Sequence, residues 1–140
     1  MSPLNRHSIS QKLIRLDRLI GELELISKTP QKVFMLDQRL QAATERYFIL
    51  AIEIITDIGN HLLVQKVGKA GDSYEKIIEE IGRQKIVPAD LAKRNKTMAG
   101  FRNILVHVYD EVDPKLVFRY VKESTAEFRA FAKAFAKFLK

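Results

Sequence analysis

Apolar residues in this chain recur at steps of three and four over nearly its whole length, and no stretch bounded by turns alternates at every second residue. That period gathers them on one face of a helix, so the chain is expected to be all-α. The first stripe is Ile9, Leu13, Leu16, Ile20 and Leu23, with Arg15, Arg18 and Glu22 directed outward; it fades at Ser27–Lys28–Thr29. Pro30 fits the first turn of a new helix, which Leu36, Leu40, Ala43, Tyr47, Leu50, Ile54 and Ile58 carry beyond His61, with a bend expected near Gly59. Gly68, Gly71 and Asp72 form a connecting loop, and Asp72 with Glu75 reads as a capping box for a short helix from Ser73 to about Lys85. Pro88 opens a fourth helix carrying Leu91, Met98, Phe101, Leu105 and Val108, which should end near Asp110, ahead of Asp113–Pro114. A last helix is expected from about Lys115 to Leu139, with Val117, Val121, Phe128, Phe131, Phe135 and Phe138 as its stripe. The expected architecture is an antiparallel bundle of about five helices in a single domain spanning residues 1–140.

The absence of cysteine excludes disulfide frameworks, thiolate nucleophiles and thiolate zinc sites together. Only His7, His61 and His107 remain as imidazole ligands, far apart in sequence, so no metal or cofactor is implied. The polar start MSPLNRHSIS, read as a frayed terminus around His7, and the lack of an uninterrupted apolar run of about 18 residues point to a cytoplasmic chain. A net charge of +7 favours anionic partners. The cations cluster twice: Arg83, Lys85, Lys93, Arg94 and Lys96 against the single acid Asp90, and the stripe Arg129, Lys133, Lys137 with Lys140. The second reads as a solvated face near a helix C-terminus, whereas the first leads into the one polar constellation that looks chemical, which is its case for phosphate binding.

That constellation is Gly100-Phe101-Arg102-Asn103-Ile104-Leu105-Val106-His107-Val108-Tyr109-Asp110. At 100° per residue Arg102 and Tyr109 lie about 20° apart on a helix, but Arg102 and His107 lie about 140° apart. One straight helix therefore aims guanidinium and imidazole poorly at one atom. A distorted helix end, or a second copy of the chain across a two-fold axis, would bring them together. Their chemistry is complementary: an imidazole moves a proton near neutral pH, and a guanidinium holds phosphate oxygens and stabilises charge on phosphorus. Those are the needs of RNA cleavage by 2′-hydroxyl transesterification, with Asn103 orienting either group. Glu53 and Asp57, one turn apart on the long helix, either face this cleft or pair with lysines elsewhere. His61 reads as structural, Tyr47–Phe48 as core or dimer interface, and Glu111 either raises the basicity of His107 or is solvated.

The segment Arg102-Asn103-(three residues)-His107-Val108-Tyr109 resembles the Arg-x4-His-x-Tyr signature of HEPN-domain ribonucleases, in particular the HepT-like toxins of HEPN/MNT toxin–antitoxin systems. Glu45-Arg46-Tyr47, Glu53, Asp57-Ile58-Gly59-Asn60-His61, Gly71-Asp72-Ser73-Tyr74-Glu75, Met98-Ala99-Gly100-Phe101 and Asp113 continue the likeness in order. The resemblance implies a helical homodimer whose motif helices meet at a cleft. It implies a metal-independent endoribonuclease with Arg102 and His107 catalytic and Asn103 supporting. It further implies a nucleotidyltransferase antitoxin of the MNT type that silences the toxin by transferring AMP to Tyr109. A non-catalytic helical module that binds a nucleotide or RNA is the alternative, though it has little need of a titrating imidazole.

Overall fold

The computed structural model describes residues 3–107 and 112–140, with the side chains of 5–106 and 112–140. Among them are seven helices and no strand: α1 (Pro3–Ser27), α2 (Gln31–Leu36), α3 (Gln38–Val67), α4 (Tyr74–Arg83), α5 (Ala89–Arg94), α6 (Met98–His107) and α7 (Pro114–Phe138). The three long helices α1, α3 and α7 pack on one another, with α1 running antiparallel to both α3 and α7. α2 lies against α3 and α7, α4 against α3, and α6 between α3 and α4. One continuous core joins them, from Leu16, Ile20 and Leu23 on α1 through Ile52, Ile55 and Ile58 on α3 to Phe128, Phe131 and Phe135 on α7.

Two helices expected as single rods are broken, so seven elements replace five. The first break is at Asp37, whose extended backbone (φ −115°, ψ 92°) interrupts the turn. Its carboxylate accepts from the Leu40 backbone amide at 3.0 Å, while the Gln41 side-chain Nε2 donates to the Phe34 and Met35 carbonyls at 2.9 and 3.2 Å. Both ends of the break are thereby capped. Leu36 remains 80% exposed, and Phe34 is the residue that α2 buries, its ring 4.9 Å from Phe118. The second break is at residues 95–97, where Asn95 turns back to donate its side-chain amide to the Leu91 carbonyl at 2.8 Å. α6 then starts afresh at Met98, with Phe101 buried edge-on to Phe48, centroids 5.5 Å apart.

Other boundaries are corrected by local hydrogen bonding. α1 begins at Pro3 rather than near Ile9, so His7 lies within a helix. Proline suits a first turn, and Arg6 anchors that end by donating to the Leu139 carbonyl at 2.6 Å. Ser73, not Asp72, caps α4 by accepting from the Lys76 amide at 3.2 Å, and Asp72 pairs with Lys76 at 3.6 Å. α3 runs on past Gly59, where a Cβ would sit 3.2 Å from Ile81; the glycine lets α4 approach closely. The helix ends instead at Gly68, in the left-handed region at φ 74°. By length and composition α3 suffices to cross a membrane, although Glu53 and Asp57 interrupt it; here Phe48, Ile52, Ile55, Ile58 and Leu62 of α3 are completely or almost completely buried in the core.

Several of the clustered cations serve as clamps. Arg129 on α7 bridges Asp17 and Glu24 of α1, the latter at 2.7 Å. Arg94 grips Glu127 through two bonds of 2.9 and 3.2 Å and Asp90 through a third of 2.9 Å, joining α5 to α7. The bond from Arg94 holds the Glu127 carboxyl below the usual carboxylate range, and does the same to Asp90; the guanidinium is raised in turn, chiefly by Glu127. Arg83 pairs with Glu80 at 2.7 Å and Lys96 with Glu75 at 3.9 Å. Most of the first basic cluster is thus occupied by its own acids.

Candidate active site

Arg102 projects from α6 into the angle between α3 and α4, and its side chain is only 15% exposed. Three groups fix it. Nη2 donates to Glu53 Oε1 on α3 at 2.7 Å, Nη1 donates to Asn103 Oδ1 at 3.2 Å, and the guanidinium carbon lies 4.8 Å from the centre of the Tyr74 ring at the start of α4. The contact over the ring face is a cation–π interaction, which gains strength when the cation is shielded from water. Nε is buried and makes no hydrogen bond among the described residues. Each Nη keeps one N–H uncommitted among the described residues, so the Nη edge is the part of the guanidinium open to an anion.

This arrangement follows from local packing. Phe101, next to Arg102, is pinned edge-on against Phe48 and stacks on Tyr120 with centroids 3.9 Å apart. Anchoring Phe101 toward α3 and α7 turns the following residue toward α4. Glu53 sits on the rim of the α3 face that buries Ile52, and so meets Arg102 where α3 and α6 cross. Asn103 is exposed beside Arg102.

Asp57, one turn beyond Glu53, goes elsewhere. Its carboxylate takes Lys12 of α1 at 2.6 Å and lies 3.6 Å from His61 Nε2. His107 is the last residue of α6, placed by its backbone alone, and Tyr109 and Glu111 lie outside the described residues. Tyr74 forms the wall between two hollows. One, of about 530 Å³, includes Glu53, Asp57 and Lys12; the other, of about 470 Å³, includes Gly71, Ser73, Gly100 and Asn103. A third, of about 390 Å³, lies under the Arg94–Glu127 pair on the α7 side, and its lining does not include Arg102.

Residues 16–135 match the family described as Ribonuclease HepT-like. The chain belongs to the HepT-like ribonuclease family. The tRNA nuclease HepT of Aphanizomenon flos-aquae is 28% identical to it over 132 residues, 94% of this chain and 89% of that protein. Among solved structures, the tri-AMPylated Shewanella oneidensis HEPN toxin in complex with MNT antitoxin superimposes with a TM-score of 0.83 at 23% identity, covering 98% of this chain and 99% of that one. The Bacillus subtilis cytosolic protein YutE superimposes with a TM-score of 0.81 at 22% identity, covering 96% and 90%. At such identities these two report a shared fold.

For a HepT-like ribonuclease, the sequence carried the arginine and its acid but not the ring that supports the arginine. Tyr74 stands inside a segment that resembles the family, yet nothing in its spacing announces a contact with a side chain 28 positions later. Lys12 was equally hidden, one cation among 24. The partner of each is set by how helices cross.

Proposed function

We propose that this HepT-like ribonuclease is a metal-independent endoribonuclease toxin that cuts RNA by 2′-hydroxyl transesterification. The observation that carries the reading is an arginine held ready by Glu53, Asn103 and Tyr74 on the same short helix that ends in His107. His107 takes the proton from the 2′-hydroxyl, and O2′ attacks phosphorus. The bond from phosphorus to O5′ breaks, and an imidazolium returns a proton to O5′. The products are a 2′,3′-cyclic phosphate and a free 5′-hydroxyl. Arg102 binds the non-bridging oxygens and stabilises the charge they gain in the transition state.

Arg102 and His107 stand about 140° apart on one helix, so the cleft is completed by a second copy of the chain in a homodimer. A cognate MNT-type nucleotidyltransferase antitoxin neutralises the toxin by adenylylating Tyr109. AMP on that phenol adds bulk and negative charge two residues from His107 and fills the anion site beside Arg102. The AMPylated, antitoxin-bound state of the Shewanella toxin supports this reading, as does the name of the cyanobacterial tRNA nuclease for a tRNA substrate. The protein acts in the cytoplasm, with the apolar face of α3 spent on its own core.

The test is incubation with tRNA and bulk RNA in EDTA, with end-group analysis of the fragments. Wild type should leave cyclic phosphate ends, and Arg102→Ala and His107→Ala should each abolish cutting while the dimer persists. Cutting that needs added Mg²⁺, or alanine variants as fast as the parent, would overturn the mechanism. Tyr109→Phe should stay toxic and escape adenylylation by the antitoxin.

A further inference from the structure

The hollow beside Arg102 leads somewhere. From Glu53 and Tyr74, both in contact with that arginine, it runs as a groove across α3 to Lys12 and Arg15 on α1. Its two carboxylates are already neutralised, Glu53 by Arg102 and Asp57 by Lys12. Arg15 is exposed and makes no hydrogen bond or ion pair among the described residues, so its guanidinium is the surplus charge of the groove. Lys12 has three N–H donors; one meets Asp57 and another faces His61 Nε2 at 3.5 Å, which leaves the third for a ligand. Lys12 and Arg15 stand three positions apart, on one side of α1. Asp57, which fixes Lys12, follows Glu53 by a rise of about 6 Å along α3. That offset is on the scale of one step along a nucleic-acid backbone. The floor, Leu50, Ile54 and Ile77, is apolar and suits the faces of ribose or base.

We propose that this groove is a binding subsite for the RNA strand flanking the scissile phosphate, in which Lys12 and Arg15 of α1 hold backbone phosphates. The inference rests on the ribonuclease reading above. It accounts for the direction of Asp57, which keeps the Lys12 ammonium extended over the groove instead of joining Glu53 at Arg102. Both contacts are to phosphate, so they add affinity for single-stranded RNA without preference for sequence.

The experiment compares Arg15→Ala and Lys12→Gln with wild type and with Lys137→Ala, an equal loss of charge on the exposed side of α7. Each is assayed in EDTA on a single-stranded RNA of about 15 nucleotides and on a dinucleotide holding the same scissile bond. For the longer RNA each α1 variant should raise KM roughly five- to tenfold with kcat within about twofold, and flatten the salt dependence of log(kcat/KM) by about 0.7 for the lost phosphate contact. On the dinucleotide, too short to reach α1, the penalty should fall below about twofold, while Lys137→Ala should match wild type throughout. A 2′-O-methyl version of the longer RNA, which cannot be cut, should show the same ratios in Kd. Equal losses on both substrates, or an unchanged Kd, would overturn the subsite. So would loss of antitoxin binding with RNA binding intact, which would make the groove a protein-docking surface. A wild type that cuts neither RNA would sink the ribonuclease reading instead, and the Kd series would still decide the groove.

Discussion

Glu53 on α3 and Arg102 on α6 meet at 2.7 Å across 49 positions of sequence, with the ring of Tyr74 supporting the guanidinium from a third helix. The pair does two things at once. It neutralises a largely buried cation, and it sets the direction in which that cation's remaining N–H groups point.

Replacing Glu53 separates these effects. Glu53→Gln keeps a hydrogen-bond acceptor near Nη2 but removes the charge, and should lower kcat roughly tenfold; Glu53→Ala, which leaves Nη2 without its partner, should lower it further and cost about 1–3 kcal/mol of stability. Steady-state kinetics on one RNA with parallel thermal melts checks both. Loss of stability without loss of kcat would make the pair merely architectural.

Tyr74 should act through its ring and not its hydroxyl. Tyr74→Phe is expected to cleave RNA within about twofold of wild type, because the aromatic face persists, whereas Tyr74→Leu should lose roughly tenfold in kcat as the Arg102 side chain gains rotamers. The comparison needs only kinetics and a circular dichroism spectrum showing that both variants stay helical.

Two glycines of the α3–α4–α5 packing should respond in opposite ways. A Cβ on Gly82 would lie 2.4 Å from the Cβ of Ala92, an atom that cannot move without its backbone, so Gly82→Ala should destabilise the protein by about 1–3 kcal/mol. A Cβ on Gly59 would meet only side-chain atoms of Ile81 and Ile77, the nearest at 3.2 Å, and the gain in helix propensity of up to ~1 kcal/mol should leave Gly59→Ala near neutral. Denaturant melts read both values, and Ala92→Gly should rescue Gly82→Ala.

Acid should loosen the α5–α7 clamp. Glu127 titrates below the ordinary carboxylate value when folded and at that value when unfolded, chiefly because Arg94 donates to it. Its contribution is therefore complete above the unfolded pKa and is lost as pH falls through the folded one. Glu127→Gln should melt a few degrees below wild type at pH 7, and the two melting temperatures should converge as acid protonates the folded carboxylate. A gap that stays constant with pH would mean that packing, not charge, is what the glutamate supplies.

Much of the fold was legible because the core is built from long helices whose apolar stripes repeat without interruption. The breaks at Asp37 and residues 95–97 were not, since the stride from Leu36 to Leu40 is unchanged whether or not the chain turns between them. Only the capping bonds of Asp37, Gln41 and Asn95 reveal the stop. At the candidate site, Glu53 and Asp57 were recognisable as a pair of acids on one face. Which of them meets Arg102 and which meets Lys12 depends on where α6 and α1 cross α3, and that crossing is set by the whole bundle. Spacing along one helix carries no such information.

The turn at residues 95–97 sets the motif helix at its own angle to α5, and Phe101 seats it on the core like a plug in a socket. Ile104 and Val106 lie exposed along it, so in the homodimer proposed above a substitution at either would alter how two copies meet as well as how they cut.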